Sequence, residues 1–260
     1  LTEVLPAALN DKMEDVRREA IKYSAALKTA VDPTQQLLSV LTTGTTGEKQ
    51  SALAALGNMD GGEKILGEWL DKLARGNVPN ELYLDILEAA EKRPSLKAKA
   101  EKIGETLGAN GPLKDLVVSL YGGDAAAGRK IFFERADVSC MRCHKIKGEG
   151  GEVGPDLTGI GTRQPREYIA ESIAFPNKQI AKGFESVLVT LNNGMAYAGI
   201  VKSEDSNNLI LNSPEDGIVT IKKSDIKARN FGLSAMPEGM AALLGKKDLR
   251  DLIEFIATQK

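Results

Sequence analysis

From the start of the chain to Tyr121, apolar residues recur at helical spacing. Val4, Leu5, Ala8 and Leu9 open the pattern, and Val16, Ala20, Ile21 and Leu27 continue it. Further helical stretches read over 37–41, 51–56, 65–73, 82–90, 98–107 and 113–120. Breakers separate them: Asp32-Pro33, Gly44 and Gly47, Gly61-Gly62, Asn77 to Pro79, Pro94, and Gly111-Pro112. Helices of about 10–15 residues joined by short turns predict antiparallel hairpins stacked in a row. Gly122-Gly123-Asp124 marks a boundary, and Asp124 is the expected N-cap of a helix over 125–134 with Gly128 and Phe132 on one face. A Gly-rich loop from Gly148 to Gly161 and a helix over 165–174 follow. From Phe184 the period changes to two. Glu185–Leu191, Met195–Lys202, Leu209–Leu211 and Ile218–Ile221 read as strands, with Ile226–Arg229 a possible fifth. Asn192-Asn193-Gly194 and Pro214 to Gly217 read as the turns between them. Helix returns over 247–257.

The chain is thus expected to be mainly α, with two domains: a helical one over 1–121 and a second over 122–260 that carries a small β-barrel or β-sheet insertion at about 184–230. A length of 260 residues suits two domains. Aromatic residues make up only 5%, so Leu, Ile, Val and Ala must build the cores. The net charge of −2 excludes a strongly basic nucleic-acid binder, and nucleic acid is not expected as a partner. No stretch approaches the ~18 consecutive apolar residues of a membrane span. The chain opens at Leu1 without a basic-then-apolar leader and is expected to be a piece of something longer. Trp69 and the tyrosines read as packing.

The chemistry is concentrated. The only two cysteines and the only histidine lie together as Cys140-Met141-Arg142-Cys143-His144. Cys-x-x-Cys-His is the attachment signature of c-type haem. One helical turn sets both thiols on one edge of a porphyrin, where each adds to a vinyl group, and the adjoining imidazole of His144 reaches the iron through Nε2. Its Nδ1–H then needs an acceptor, for which the Gly-rich loop supplies carbonyls. A redox dithiol would want a βαβ setting. A structural zinc site wants four ligands where this chain offers three. An accidental buried cluster is the bland alternative.

Counting constrains the second axial ligand. With no second histidine, methionine is the usual partner. Met13 and Met59 fall in the helical region, Met141 inside the motif, and Met195 on an expected strand. Met236 and Met240 remain. Pro237 restricts the backbone at Met236 to extended forms, suited to a loop crossing a haem face, so Met236 is preferred and Met240 is the fallback. An open sixth position is the other possibility. Arg142, Lys145 and Lys147 flank the attachment site, either as a positive rim for an acidic partner or as a solvated turn.

Taken in order, Gly128-x-x-x-Phe132, the Cys140–His144 motif, Gly154-Pro155-Asp156-Leu157, Met236-Pro237 and Asp251 to Ile256 resemble a class I cytochrome c. The resemblance implies one covalent haem c, a contact of Gly128 and Phe132 with Leu252 and Phe255 between crossing helices, and a Pro155 carbonyl that accepts the His144 Nδ1–H bond. Ninety-two positions separate His144 from Met236, more than in a small cytochrome c, and the β insertion accounts for about half of them. A nearer resemblance is to the C-terminal haem-binding domain of planctomycete and verrucomicrobial membrane-bound dehydrogenases. Those carry the same insertion before Met-Pro-Glu-Gly and often HEAT-like helices ahead of it. Leu9-Asn10-Asp11 followed by Val16 to Ala20 resembles a HEAT repeat, which implies a HEAT-like α-solenoid over 1–121, an irregular helical domain being the alternative. The expected function is electron transfer rather than enzymatic turnover. The electron donor would be a dehydrogenase domain or other redox protein, the acceptor a downstream carrier, and the location periplasmic. A five-coordinate haem sensor or catalyst and an interaction scaffold are the rival functions.

Overall fold

The computed structural model describes residues 4–26, 33–108, 111 and 113–260. Leu1, Leu27, Asp32 and Pro112, used above as a start, a helical position and breakers, lie outside the described residues. The chain divides into two compact units, Leu1–Gly122 and Gly123–Lys260.

The first unit is helical: α1 (Leu5–Leu9), α2 (Glu14–Ala26), α3 (Thr34–Thr43), α4 (Thr46–Asn58), α5 (Gly62–Ala74), α6 (Tyr83–Glu91) and α7 (Pro94–Leu107). Helix α4 is the centre, packed against α2, α3, α5 and α6. Its Ala52, Leu53, Ala55 and Leu56 are buried with Leu66, Leu70, Leu84 and Ile86 in one core. Trp69 packs on the edge of that core, as a structural residue should.

In this unit two expectations needed correction. Gly47 does not break a helix but lies inside α4, because a capping box has already committed the chain. Thr45 Oγ1 accepts the Glu48 N–H, and Glu48 Oε2 accepts the Thr45 N–H at 2.7 Å. Pro94 does separate α6 from α7, and it does so as the first residue of α7, where its missing N–H costs nothing. The apolar stretch 113–120 is a series of turns with a short 3₁₀ segment, Val117–Ser119, rather than an α-helix. Its Val118 and Leu120 are buried, so the apolar spacing reported burial, not helix.

The second unit opens with α8 (Ala125–Glu134), where Asp124 Oδ1 caps the N–H groups of Ala126 and Ala127. There follow α9 (Cys140–Cys143), the short strands β1 (Lys145–Ile146) and β2 (Glu149–Gly150), α10 (Ile160–Arg163) and α11 (Arg166–Ala174). Five strands come next: β3 (Glu185–Leu191), β4 (Ala196–Glu204), β5 (Asn208–Ser213), β6 (Gly217–Lys222) and β7 (Ile226–Ser234). The chain ends with α12 (Met240–Ala257), interrupted at Gly245, whose φ of 69° leaves the helical region. Met195, expected on a strand, sits in the turn before β4.

Helices α8 and α12 meet at Gly128. A Cβ there would lie 1.9 Å from the Asp251 carbonyl oxygen, so only a glycine permits this approach. One turn on, the rings of Phe132 and Phe255 pack at 5.7 Å between centroids. The bidentate pair of Arg166 with Glu254, both bonds 2.8 Å, ties α11 to α12.

The five strands form one antiparallel sheet in the order β6-β5-β4-β3-β7. Its inner face buries Val187, Val189, Leu209, Leu211 and Ile221. A flat sheet would set β6 and β7 roughly 19 Å apart, at about 4.8 Å per strand gap. Only the 3₁₀ turn Lys223–Asp225 joins them, and a 3₁₀ segment advances about 2 Å per residue. The sheet therefore curls strongly, yet no ladder between β6 and β7 closes it into a barrel among the described residues.

Candidate functional site: a cavity around the Cys-x-x-Cys-His turn

The attachment motif folds as one turn of helix. His144 N–H donates to the Cys140 carbonyl at 3.0 Å, which brings the two cysteines, three apart, onto one side. Ser139, just ahead, is held in the left-handed region at φ 44°, a conformation non-glycine residues seldom adopt and one that marks a constrained site. The Gly-rich loop then wraps the turn. Gly151 N–H bonds the Met141 carbonyl, Gly154 N–H the Cys143 carbonyl and Leu157 N–H the Lys145 carbonyl.

This wrapping places Pro155. Its carbonyl oxygen lies 2.9 Å from His144 Nδ1 and accepts the Nδ1–H bond. That bond selects one tautomer and leaves Nε2 with its lone pair free to bind a metal. Burial lowers the imidazole pKa, against the opposing pull of the Pro155 carbonyl, so the ring is kept neutral as a ligand must be. Gly154 is required by contact, since a Cβ there would come within 2.6 Å of His144 Cε1.

Cys140 and Cys143 are both half-buried and are not joined to each other. Burial pushes the Cys140 thiol up to about 11 and raises that of Cys143, against the pull of Arg142. Among the described residues, no group of three or more His, Cys, Asp or Glu is placed to hold a metal ion.

Cys140, Cys143, His144 and Pro155 line one cavity of about 320 Å³, and Met236 and Met240 line it too. Its other walls are apolar, among them Leu157, Ile169, Leu252 and Ile256. Met236 sits in the bend between β7 and α12, and Met240 opens α12, where it is buried. Met141 and Met195 do not line the cavity, and Met195 is exposed in its turn. Two thiols on one turn, a neutral imidazole with a fixed tautomer, a thioether and an apolar enclosure fit a covalently tethered haem.

Sequence reasoning missed the part played by the sheet. Ile200, on the outer face of β4, is buried and lines the cavity. Opposite it on β5, Asn212 donates to the Glu152 carbonyl of the loop that wraps the motif. Alternation marked Ile200 as apolar but not as facing the site. The basic rim is reduced, because Lys145 pairs with Glu152 while Arg142 and Lys147 are exposed.

Comparison with known proteins agrees with the geometry. The cytochrome c family profile matches residues 125–211, a stretch that holds the attachment motif and ends before Met236. A cytochrome c of Cochliobolus lunatus is 35% identical over 101 residues, covering 34% of this chain and 88% of that protein. A cytochrome c of Arabidopsis thaliana is also 35% identical over 101 residues, covering 34% of this chain and 85% of its own length. With a relative of that identity matched over most of its length, the chain belongs to the cytochrome c family.

Proposed function

We propose that residues 123–260 form a one-electron carrier whose haem c is attached through Cys140 and Cys143, with His144 and Met236 as axial ligands. Membership of the cytochrome c family already makes this a haem-based electron-transfer protein rather than an enzyme. The observation that carries the finer reading is the convergence of these four side chains on one apolar cavity. The haem supplies reversible ferric–ferrous cycling. The chain supplies everything else. Cys140 and Cys143 fix the group in place, the Pro155 carbonyl aims the His144 ring, and the aliphatic walls exclude water. A thioether ligand, softer than a second imidazole, favours the ferrous state and raises the potential.

Met236→Ala tests the assignment. The variant should lose the far-red methionine–ferric band, shift the reduction potential down and bind carbon monoxide when reduced. A native protein that itself binds carbon monoxide would instead have an open site and favour a sensor or catalyst. An unchanged potential in the variant would move the ligand to Met240.

The partner reading is supported by sequence resemblance. The donor would be a dehydrogenase domain or protein, and the acceptor a downstream carrier. A periplasmic location follows from the oxidising compartment that haem c attachment goes with. The helical unit would act as a HEAT-like scaffold, supported by the stacking of α2 on α4 and α4 on α6. No described helix is long and apolar enough to cross a membrane.

A further inference from the structure

The chain leaves the helical part of the second unit after α11, builds the five-stranded sheet, and returns at Ser234, two residues before Met236. One side chain holds both ends of that excursion. Asn177 Oδ1 accepts the backbone N–H of Ser234, the last residue of β7, at 2.7 Å. Asn177 Nδ2 donates to Glu238 Oε1, on the far side of Met236, at 2.5 Å. Between them, Ser234 Oγ accepts the Met236 N–H at 3.2 Å. The partners dictate which way the amide points: a backbone N–H only donates and a carboxylate only accepts. Pro237 stiffens the segment from within, since its ring fixes one dihedral and restricts the residue before it.

We infer that Asn177 is the positioning residue for Met236: by gripping Ser234 and Glu238 together it sets the loop that presents the methionine to the cavity. The inference rests on Met236 being the axial ligand. A thioether competes with any external ligand through its local concentration. A loop released at both ends spends part of its time away from the cavity, and an outside ligand then binds more tightly by the fraction of open loop. Hydrogen bonds to a charged partner are the stronger kind, so the Glu238 bond carries much of the restraint.

The test uses the haem-loaded ferric protein and imidazole as the competing ligand. Asn177→Ala should keep its covalent haem and helical circular dichroism, weaken the far-red methionine band, and bind imidazole roughly tenfold more tightly. Asn177→Asp alone should behave likewise, because two carboxylates then face each other. Combining Asn177→Asp with Glu238→Gln restores both bonds with the second reversed in polarity, and should return imidazole affinity to within about twofold of the parent. A merely structural asparagine would not be rescued by that pair. Asn177→Ala with unaltered band and affinity, in a protein whose Met236→Ala variant loses the band, would overturn the inference alone. A Met236→Ala variant that keeps the band would overturn the ligand assignment, and this inference with it.

Discussion

At the scale of single residues, the site is decided by contacts that leave no room. The imidazole of His144 lies against Gly154 so closely that one added methyl must displace ring or loop. Gly154→Ala should therefore shift the His144 ring off the Pro155 carbonyl and destabilise the second unit by about 2 kcal/mol. Chemical denaturation followed by the haem band measures the second effect, and the spectrum of the ferric form reports the first. Wild-type values for both would mean that the loop yields without cost. The motif itself was plain in the sequence because its three groups are contiguous. Met236 emerged by counting, since no second histidine exists. Asn177 left no trace, because a hydrogen bond to Ser234 joins positions 57 apart and no short-range pattern encodes it. Ile200 was hidden for a related reason: alternation says which residues share a face, not what that face meets.

At the scale of elements, periodicity and caps foretold most helices and strands, and failed where local chemistry outweighed them. Thr45 and Glu48 form a start signal strong enough to carry Gly47 within α4. Glu48 does more than cap, because its Oε1 also accepts from Arg17 Nε at 2.5 Å and so joins α4 to α2. Burial pushes its carboxyl pKa up, but the Arg17 and Thr45 hydrogen bonds outweigh this and hold it below the ordinary 4.5. A depressed carboxylate stabilises the fold fully above that ordinary value, and its contribution is lost as pH falls through the lower folded value. The first unit should thus lose stability below about pH 4.5 in a component that Glu48→Gln abolishes, read as the thermal midpoint against pH. Glu48→Ala should cost about 2 kcal/mol at neutral pH by loss of the cap and the pair. In the second unit, Gly128→Ala should separate α8 from α12 and cost about 3 kcal/mol in urea denaturation, overpacking being the mechanism. The segment 113–120 shows the limit of periodicity, since buried turns and buried helices can share the same apolar spacing.

For the whole molecule, two compact units predict two cooperative transitions. Among the described residues, the core of the first unit draws on residues from Ile21 to Val118, and the sheet has a small core of its own. Calorimetry should show the haem-bearing unit melting in its own transition, displaced when haem is omitted, while the transition of residues 1–122 stays in place. A single transition that moves as a whole would refute that independence. The curled sheet has a further consequence, for the route by which the chain folds. Its strands β3 to β6 pair in sequence order, each with its neighbour, so they can zip up locally. Once zipped and joined at Asn177 and Ser234, the sheet removes 57 of the 92 positions that separate His144 from Met236. Closing the remaining loop is about 0.9 kcal/mol less costly in chain entropy than closing the open segment. An insertion that would ordinarily keep His144 and Met236 far apart along the chain thus shortens the path between them.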